Sequence, residues 1–432
     1  MNRSLLALVL AATALGACQR GAEPAVENSL DEIAREFVLL SLTIGEKEEG
    51  YIDAYYGPAE LLAKAKADAA GQDLNALARR TDELRKKLEG VASGDPMEAR
   101  RAKFLAAQLA AAATRLRMLN GEKLSFQEEA KGLFGVAPEL KPLNSYDPVL
   151  ARIDQLVPGS GDLADRVDAF QNRFNIPKER LKPVFDAAIG ECSRRTIEHI
   201  QMPKGERFDM TFVTGKSWSG YNYYQGNAHS RIEINTDLPI RISRAVDLGC
   251  HEGYPGHHVL NALLEQRLTK DKGWIEFSVY PLYSPQSLIA EGSANYGIEL
   301  AFPGRERLDY ETAALYPLAG LPVADAGRYF DLMRAIRDLS GARFTIVSDY
   351  LEGKIDRAEA VRLTRKYQLQ SQDRAEQSMD FADQYRSYVI NYGLGQDMVR
   401  AYVEAAGSDP KARWARMEKI LSEPTLPSDL TP

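Results

Sequence analysis

The chain has 432 residues, 44% hydrophobic and 27% charged, with a net charge of −7. That is enough to bury a large core, as one big domain or as two lobes. Acidic and basic residues are intermixed, with no basic block or Arg/Lys stripe of the kind nucleic acid requires, so no nucleic-acid partner is expected.

In chain order, MNRSLLALVLAATALGAC carries one basic residue, Arg3, then an apolar run from Leu5 to Leu15 and small residues before Cys18. Residues 1–17 therefore read as a secretory signal. Leu15-Gly16-Ala17-Cys18 resembles the bacterial lipobox, which implies acylation of Cys18. Ordinary cleavage after Ala17 is the alternative, and Gln19 implies the outer rather than the inner membrane. No later run reaches about 18 apolar residues. The expectation is a soluble domain facing the periplasm, tethered to the membrane only through its lipid by residues 18–28.

From Ser29 the pattern is helical. SLDEIAREFVLLSL opens on a Ser cap, PAELLAKAKADAA has Pro58 at its first turn, and SFQEEAKGLFG pairs Ser125 with Glu128 as a capping box. Residues 29–200 are predicted to form an N-terminal helical lobe. The catalytic lobe, 201–432, begins differently, with RFDMTFVTG and SRIEINTD alternating as strands do. SWSGYNYYQGNAH between them reads as a turn region. Later segments, SLIAEGSANYGIELAF, PVADAGRYFDLMRAIRDLSGARF, RAEAVRLTRKY and QDMVRAYVEAAG, read as helices. The fold class expected is mainly α, with one small β-sheet beside the suspected site. Cys192 and Cys250 could pair in an oxidising compartment, but Cys250 reads better as a small buried residue.

Four of the five histidines lie between residues 229 and 258. CHEGYPGHH (250–258) begins as a zinc-hydrolase helix does, but Pro255 stands where H-E-x-x-H has its second histidine. On a regular helix His257 would lie about 240° round from His251, and His258 about 10.5 Å along the same face. Pro255 cannot donate to the carbonyl of His251, and Gly256 takes conformations closed to other residues. A widened turn there would return His257 to the metal face before VLNALLEQRL resumes the helix. Glu291, on a downstream helix with Asn295 one turn later, offers a third ligand and a partner for a ligating histidine. Glu252 would be the general base on water activated by zinc.

His251-Glu252-x-x-Pro255-Gly256-His257, with Ala290-Glu291-Gly292 and Tyr296, resembles a bacterial family of uncharacterised-domain proteins. That family is regarded as gluzincin-like zinc peptidases, distantly similar to carboxypeptidase Taq. GYIDAYYGPAEL, FQEEAKGLFGV and ALYPLAGLP extend the likeness over most of the mature chain. The resemblance implies a two-lobed zincin-like helical fold, Zn2+ as cofactor, His251, His257 and Glu291 as ligands, Glu252 as base and a peptide substrate. It favours His257 over His258, which is left to orient a neighbour. This chain departs from the family at Ser293, where many members carry a bulky aromatic. Tyr392-Gly393-Leu394-Gly395-Gln396 only partly matches their Pro-Gly-Gln segment.

His229 and Tyr392, with Tyr388, are candidates to stabilise an oxyanion. SRIEINTD is a candidate strand for pairing with extended substrate. Arg231, Arg386 and Arg400 are candidates for holding a terminal carboxylate. The function expected is zinc-dependent hydrolysis of short peptides. The alternatives are a metal-dependent amidase on a non-peptide or cell-wall amide, and a non-catalytic periplasmic binding lipoprotein.

Overall fold

The computed structural model describes residues 29–430 apart from Ala92. The expected signal, Cys18 and the whole of the tether lie outside the described residues. The described chain is mainly helical, with two small sheets instead of one.

The first helix, Leu30–Gly45, starts where its sequence says it should. Ser29 accepts from the backbone of Glu32 and Glu32 answers to Ser29, closing a capping box. Its buried residues, among them Ile33, Phe37, Val38, Leu40 and Ile44, recur at helical spacing, so one face enters the core. Ser125 and Glu128 cap Phe126–Phe134 in the same way. Buried apolar side chains form one continuous cluster from Leu30 to Leu430. Among the described residues no helix is long and apolar enough to cross a membrane.

Strand β1 (Ile52–Tyr55) pairs antiparallel with β5 (Val279–Pro281). The other sheet holds β2 (Arg207–Val213), β3 (Gly220–Tyr224) and β4 (His229–Asn235) in the order β2-β4-β3. The β3 residues, expected to be turn, are extended because Tyr221, Tyr223 and Tyr224 are good strand formers that pair along β4. The segment expected as one helix over PVADAGRYFDLMRAIRDLSGARF is two, Ala326–Arg337 and Ala342–Leu351, broken around Ser340-Gly341.

The helix Pro285–Ala301 crosses Ile390–Glu404 at very short range. A Cβ on Gly292 would lie 2.4 Å from the carbonyl carbon of Gly395, and one on Gly297 would lie 2.7 Å from Pro255 Cγ. The glycines of the SANYG-bearing helix thus set how near it comes to both Ile390–Glu404 and the histidine motif. Cys192 and Cys250 form a disulfide, with Cα atoms 5.5 Å apart, correcting the reading of Cys250 as an unpaired buried thiol. The bond ties Leu181–Ile197 to the residue immediately before His251.

Because backbone lies opposite Gly292, Gly292→Ala should cost about 1–3 kcal/mol, the usual penalty for overpacking. Denaturant titration would register this as a lower midpoint at unchanged slope; an unshifted midpoint would contradict the close crossing.

Candidate metal centre

Three segments bring one ligand atom each to a common point. His251 lies in the last turn of Ser243–Glu252, His257 opens His257–Leu264, and Glu291 sits midway along Pro285–Ala301. His251 Nε2 is 3.1 Å from His257 Nε2 and 3.2 Å from Glu291 Oε2. His257 Nε2 is 3.8 Å from Glu291 Oε1.

The six-residue spacing is accommodated by stopping one helix and starting another, a larger break than a widened turn. The first helix ends at Glu252, the N–H of Gly256 reaches back to the Cys250 carbonyl at 3.1 Å, and Leu260 N–H then bonds Gly256 O at 3.0 Å. A Cβ on Gly256 would fall 1.7 Å from the His251 carbonyl oxygen, so only glycine can occupy this reversal.

The hydrogen bonds set the protonation. Asn295 Nδ2 donates to the Tyr392 carbonyl at 3.3 Å, which turns its Oδ1 toward His251 Nδ1, 3.1 Å away. The proton on Nδ1 leaves the Nε2 lone pair facing His257 and Glu291. Glu291 Oε2 is buried with no hydrogen-bond partner, while Oε1 accepts from Tyr388 Oη at 2.9 Å. Electron-rich atoms this close repel one another unless they share a cation. A tetrahedral zinc with ligands at about 2.0–2.2 Å requires donor separations of about 3.4 Å. The observed spacings lie on either side of that value, so the three side chains fit a divalent ion.

The electrostatics agree. Burial lowers the His251 pKa, but the close approach of the Glu291 carboxylate and the charge of Glu252 outweigh that and push it up to about 9. Without a metal, this imidazole would hold the shared cation as a proton. Burial pushes His257 down to about 4, which keeps it neutral and able to ligate. Burial raises Glu291, but the two histidines and Tyr388 prevail and hold it below the usual carboxylate range. Burial pushes Glu252 up to about 7. Gly220 of β3 lies against that carboxyl, where a Cβ would be 2.8 Å from Glu252 Oε1.

The cluster opens on a cleft of about 840 Å³ whose lining includes Glu252, Asn295, Tyr388, Tyr392 and Gln396. The partial Pro-Gly-Gln segment therefore does reach the site. Other expected residues do not. His229 does not line the cleft; its Nε2 pairs with Asp209 Oδ2 at 2.9 Å, across the β2–β4 register. His258 touches none of the three candidate ligands. It is fully buried between Ser230 Oγ and Glu206 Oε2, each 2.8 Å away, and fastens the motif to β4 and the loop before β2. The strand SRIEINTD is the middle of its sheet, with both edges taken by β2 and β3, so it cannot pair with substrate. Arg386 is bound to buried Glu129, Arg400 to Glu299 and Asp397, and Arg231 to Glu233, and none lines the cleft.

Sequence reasoning missed Asp53. It lies on β1, bonds the Tyr221 hydroxyl and lines the cleft. The only signal was its place in the strand-forming GYIDAYYGP segment. Burial raises its pKa, Tyr221 lowers it and Glu291 raises it, leaving it at about 6 against 3.8 for a free side chain. A raised carboxyl pKa stabilises the fold fully only below the unfolded value, and that contribution is lost as pH rises through about 6. Asp53→Asn should therefore raise the Tm of metal-stripped protein at pH 8, by an amount that shrinks toward pH 4.5. A gain of the same size at both pH values would contradict the shift.

No family model and no curated protein matches the chain. Among solved structures, the crystal structure of a candidate lipoprotein from Colwellia psychrerythraea is similar, with a TM-score of 0.51. It is 15% identical, and the match covers 86% of this chain and 68% of that one. At that identity the likeness is one of fold.

Proposed function

We propose that this protein is a zinc-dependent hydrolase of amide bonds in short peptides, held at the cell envelope by acylation of Cys18. The observation that carries the reading is the convergence of His251, His257 and Glu291 with unshared lone pairs, beside a carboxyl that ligates nothing. The lipobox-like start of the chain and the fold shared with a candidate lipoprotein support the envelope location.

His251, His257 and Glu291 would hold the ion, with Asn295 and Tyr388 fixing the orientation of two of them. Zinc, when bound, supplies Lewis acidity to a carbonyl oxygen and a water placed against it. Glu252 takes the proton from the attacking water and delivers it to the departing amine. Its pKa of about 7 suits a group that must both accept and release a proton near neutrality. Tyr392, on the cleft wall, is the candidate donor to the developing oxyanion. A purely structural ion would be closed in by four protein ligands and would have no use for Glu252. That favours hydrolysis over a non-catalytic binding role.

Metal analysis should find one divalent ion per chain, lost in His251→Ala, His257→Ala and Glu291→Gln. Glu252→Gln should retain the ion but lower cleavage of a mixed peptide pool by at least about a hundredfold, the lower range for a general base. Metal-loaded protein that leaves peptides intact but cleaves cell-wall amides would transfer the same chemistry to a non-peptide substrate. Metal without any turnover would refute the hydrolase.

A further inference from the structure

Seven arginines line the cleft. Five are tied to carboxylates: Arg115 to Glu48, Arg241 to Asp168, Arg244 and Arg307 to Asp247, and Arg337 to Glu299. A sixth, Arg374, donates to the Pro239 carbonyl at 3.1 Å and is crowded by Arg241 and Arg244. Arg343 is different. Its side chain has no hydrogen bond or ion pair with any described residue, and its Nε is a buried donor with no partner. Burial lowers its pKa, and the only ionisable group opposing that effect is the Tyr392 hydroxyl.

A guanidinium brings five N–H donors; in half-buried Arg343 the Nε donor is shut away without a partner, which is costly, and no described residue accepts from the others. Packing alone does not account for Arg343, since an apolar side chain would stack on Phe381 without that cost. The guanidinium carbon lies 5.2 Å from the Phe381 ring centre. Phe381 in turn packs on Tyr392 with ring centres 6.0 Å apart, and Tyr392 on Tyr388 at 6.0 Å. Tyr388 donates to Glu291. One aromatic wall therefore runs from the candidate metal centre to an unpartnered planar cation that lines the same cleft.

We infer that Arg343 is a specificity residue that binds the free carboxylate of the substrate, so the cleft takes peptides or acylamino acids carrying a terminal carboxylate in preference to capped ones. The inference rests on the hydrolase reading and gives it a substrate class. A carboxylate satisfies a guanidinium through paired N–H···O bonds, and in an enclosed site such charge-assisted bonds are the strong ones. The three arginines expected from sequence for this task are each occupied elsewhere.

The test uses metal-loaded protein and two randomised tripeptide pools built without Asp or Glu, one with free C-termini and one capped as the carboxamide. Wild-type protein should cleave the free-acid pool at least about tenfold faster, the size of one charged hydrogen bond. Arg343→Met should bring that ratio close to one, and Arg343→Lys should retain part of it. A folding defect would slow both pools together and leave the ratio standing, which overturns the assignment. So does a wild-type protein that cuts the two pools alike. If neither pool is cut, the hydrolase reading falls, and retention of the same pools by Glu252→Gln protein in equilibrium dialysis decides this one. Free-acid preference that disappears with Arg343→Met supports it; equal retention of both pools overturns it.

Discussion

The site depends on one backbone reversal. Between Glu252 and His257 the chain stops a helix, turns on Gly256 and starts another, and this sets two imidazole nitrogens 3.1 Å apart. The reversal leaves no room for a side chain at Gly256. A continuous helix would send His257 to the far side, and the carboxylate of Glu291 would face a single histidine. The departure from H-E-x-x-H is therefore a different route to the same arrangement, in which the break itself brings the second ligand.

That reversal is held from several directions at once. The Cys192–Cys250 disulfide fixes the residue before His251, and His258 secures the restarted helix through Ser230 and Glu206. Pro255 packs into the space left by Gly297 on the helix that carries Glu291 and Asn295. The opposite wall has its own support. Buried Glu129 accepts from Ser387 N–H at 3.0 Å, Ser387 Oγ at 2.7 Å and Arg386 Nε at 2.8 Å. It thereby holds Arg386 at a φ of 52°, a left-handed conformation that a long side chain seldom adopts unaided. The next turn carries Tyr388 to Glu291. Glu129 thus acts on the site from another part of the chain, by fixing the turn that precedes Tyr388.

The parts of this arrangement that were legible in the sequence are those whose signals are local. Caps at Ser29 and Ser125 and the helical spacing of apolar residues depend only on near neighbours, and the structure follows them closely. His251, His257, Glu291 and Asn295 were identifiable because the motif and its resemblance specify residue types at close spacing. The strand character of β3 was hidden by its glycine and by its setting among turn formers; pairing with β4 overrides both. His229 and His258 were ambiguous for a related reason. A histidine next to a strand or a motif carries no mark of which way it faces, and Asp209, Ser230 and Glu206, which decide the matter, are 20 or more residues away. The disulfide and the ion pairs of Arg386 with Glu129 and Arg400 with Glu299 are likewise long-range pairings that spacing does not encode.

Within this tightly bonded surround, Glu252 stands apart. Asn295 fixes His251 and Tyr388 fixes Glu291, while the Asn222 amide takes only the backbone carbonyl of Glu252, at 2.7 Å. No described side chain hydrogen-bonds the Glu252 carboxyl, which lies along the cleft against the bare backbone of Gly220. A carboxyl left in that state loses hydration with no internal bond in return, and burial alone would favour an apolar residue at the position. Its presence makes sense if its partner arrives with the substrate and water, because only then does an acceptor beside two imidazoles and a carboxylate have a proton to receive. The surrounding bonds hold the ligands still, and the acid beside them is left unbonded and free to exchange protons.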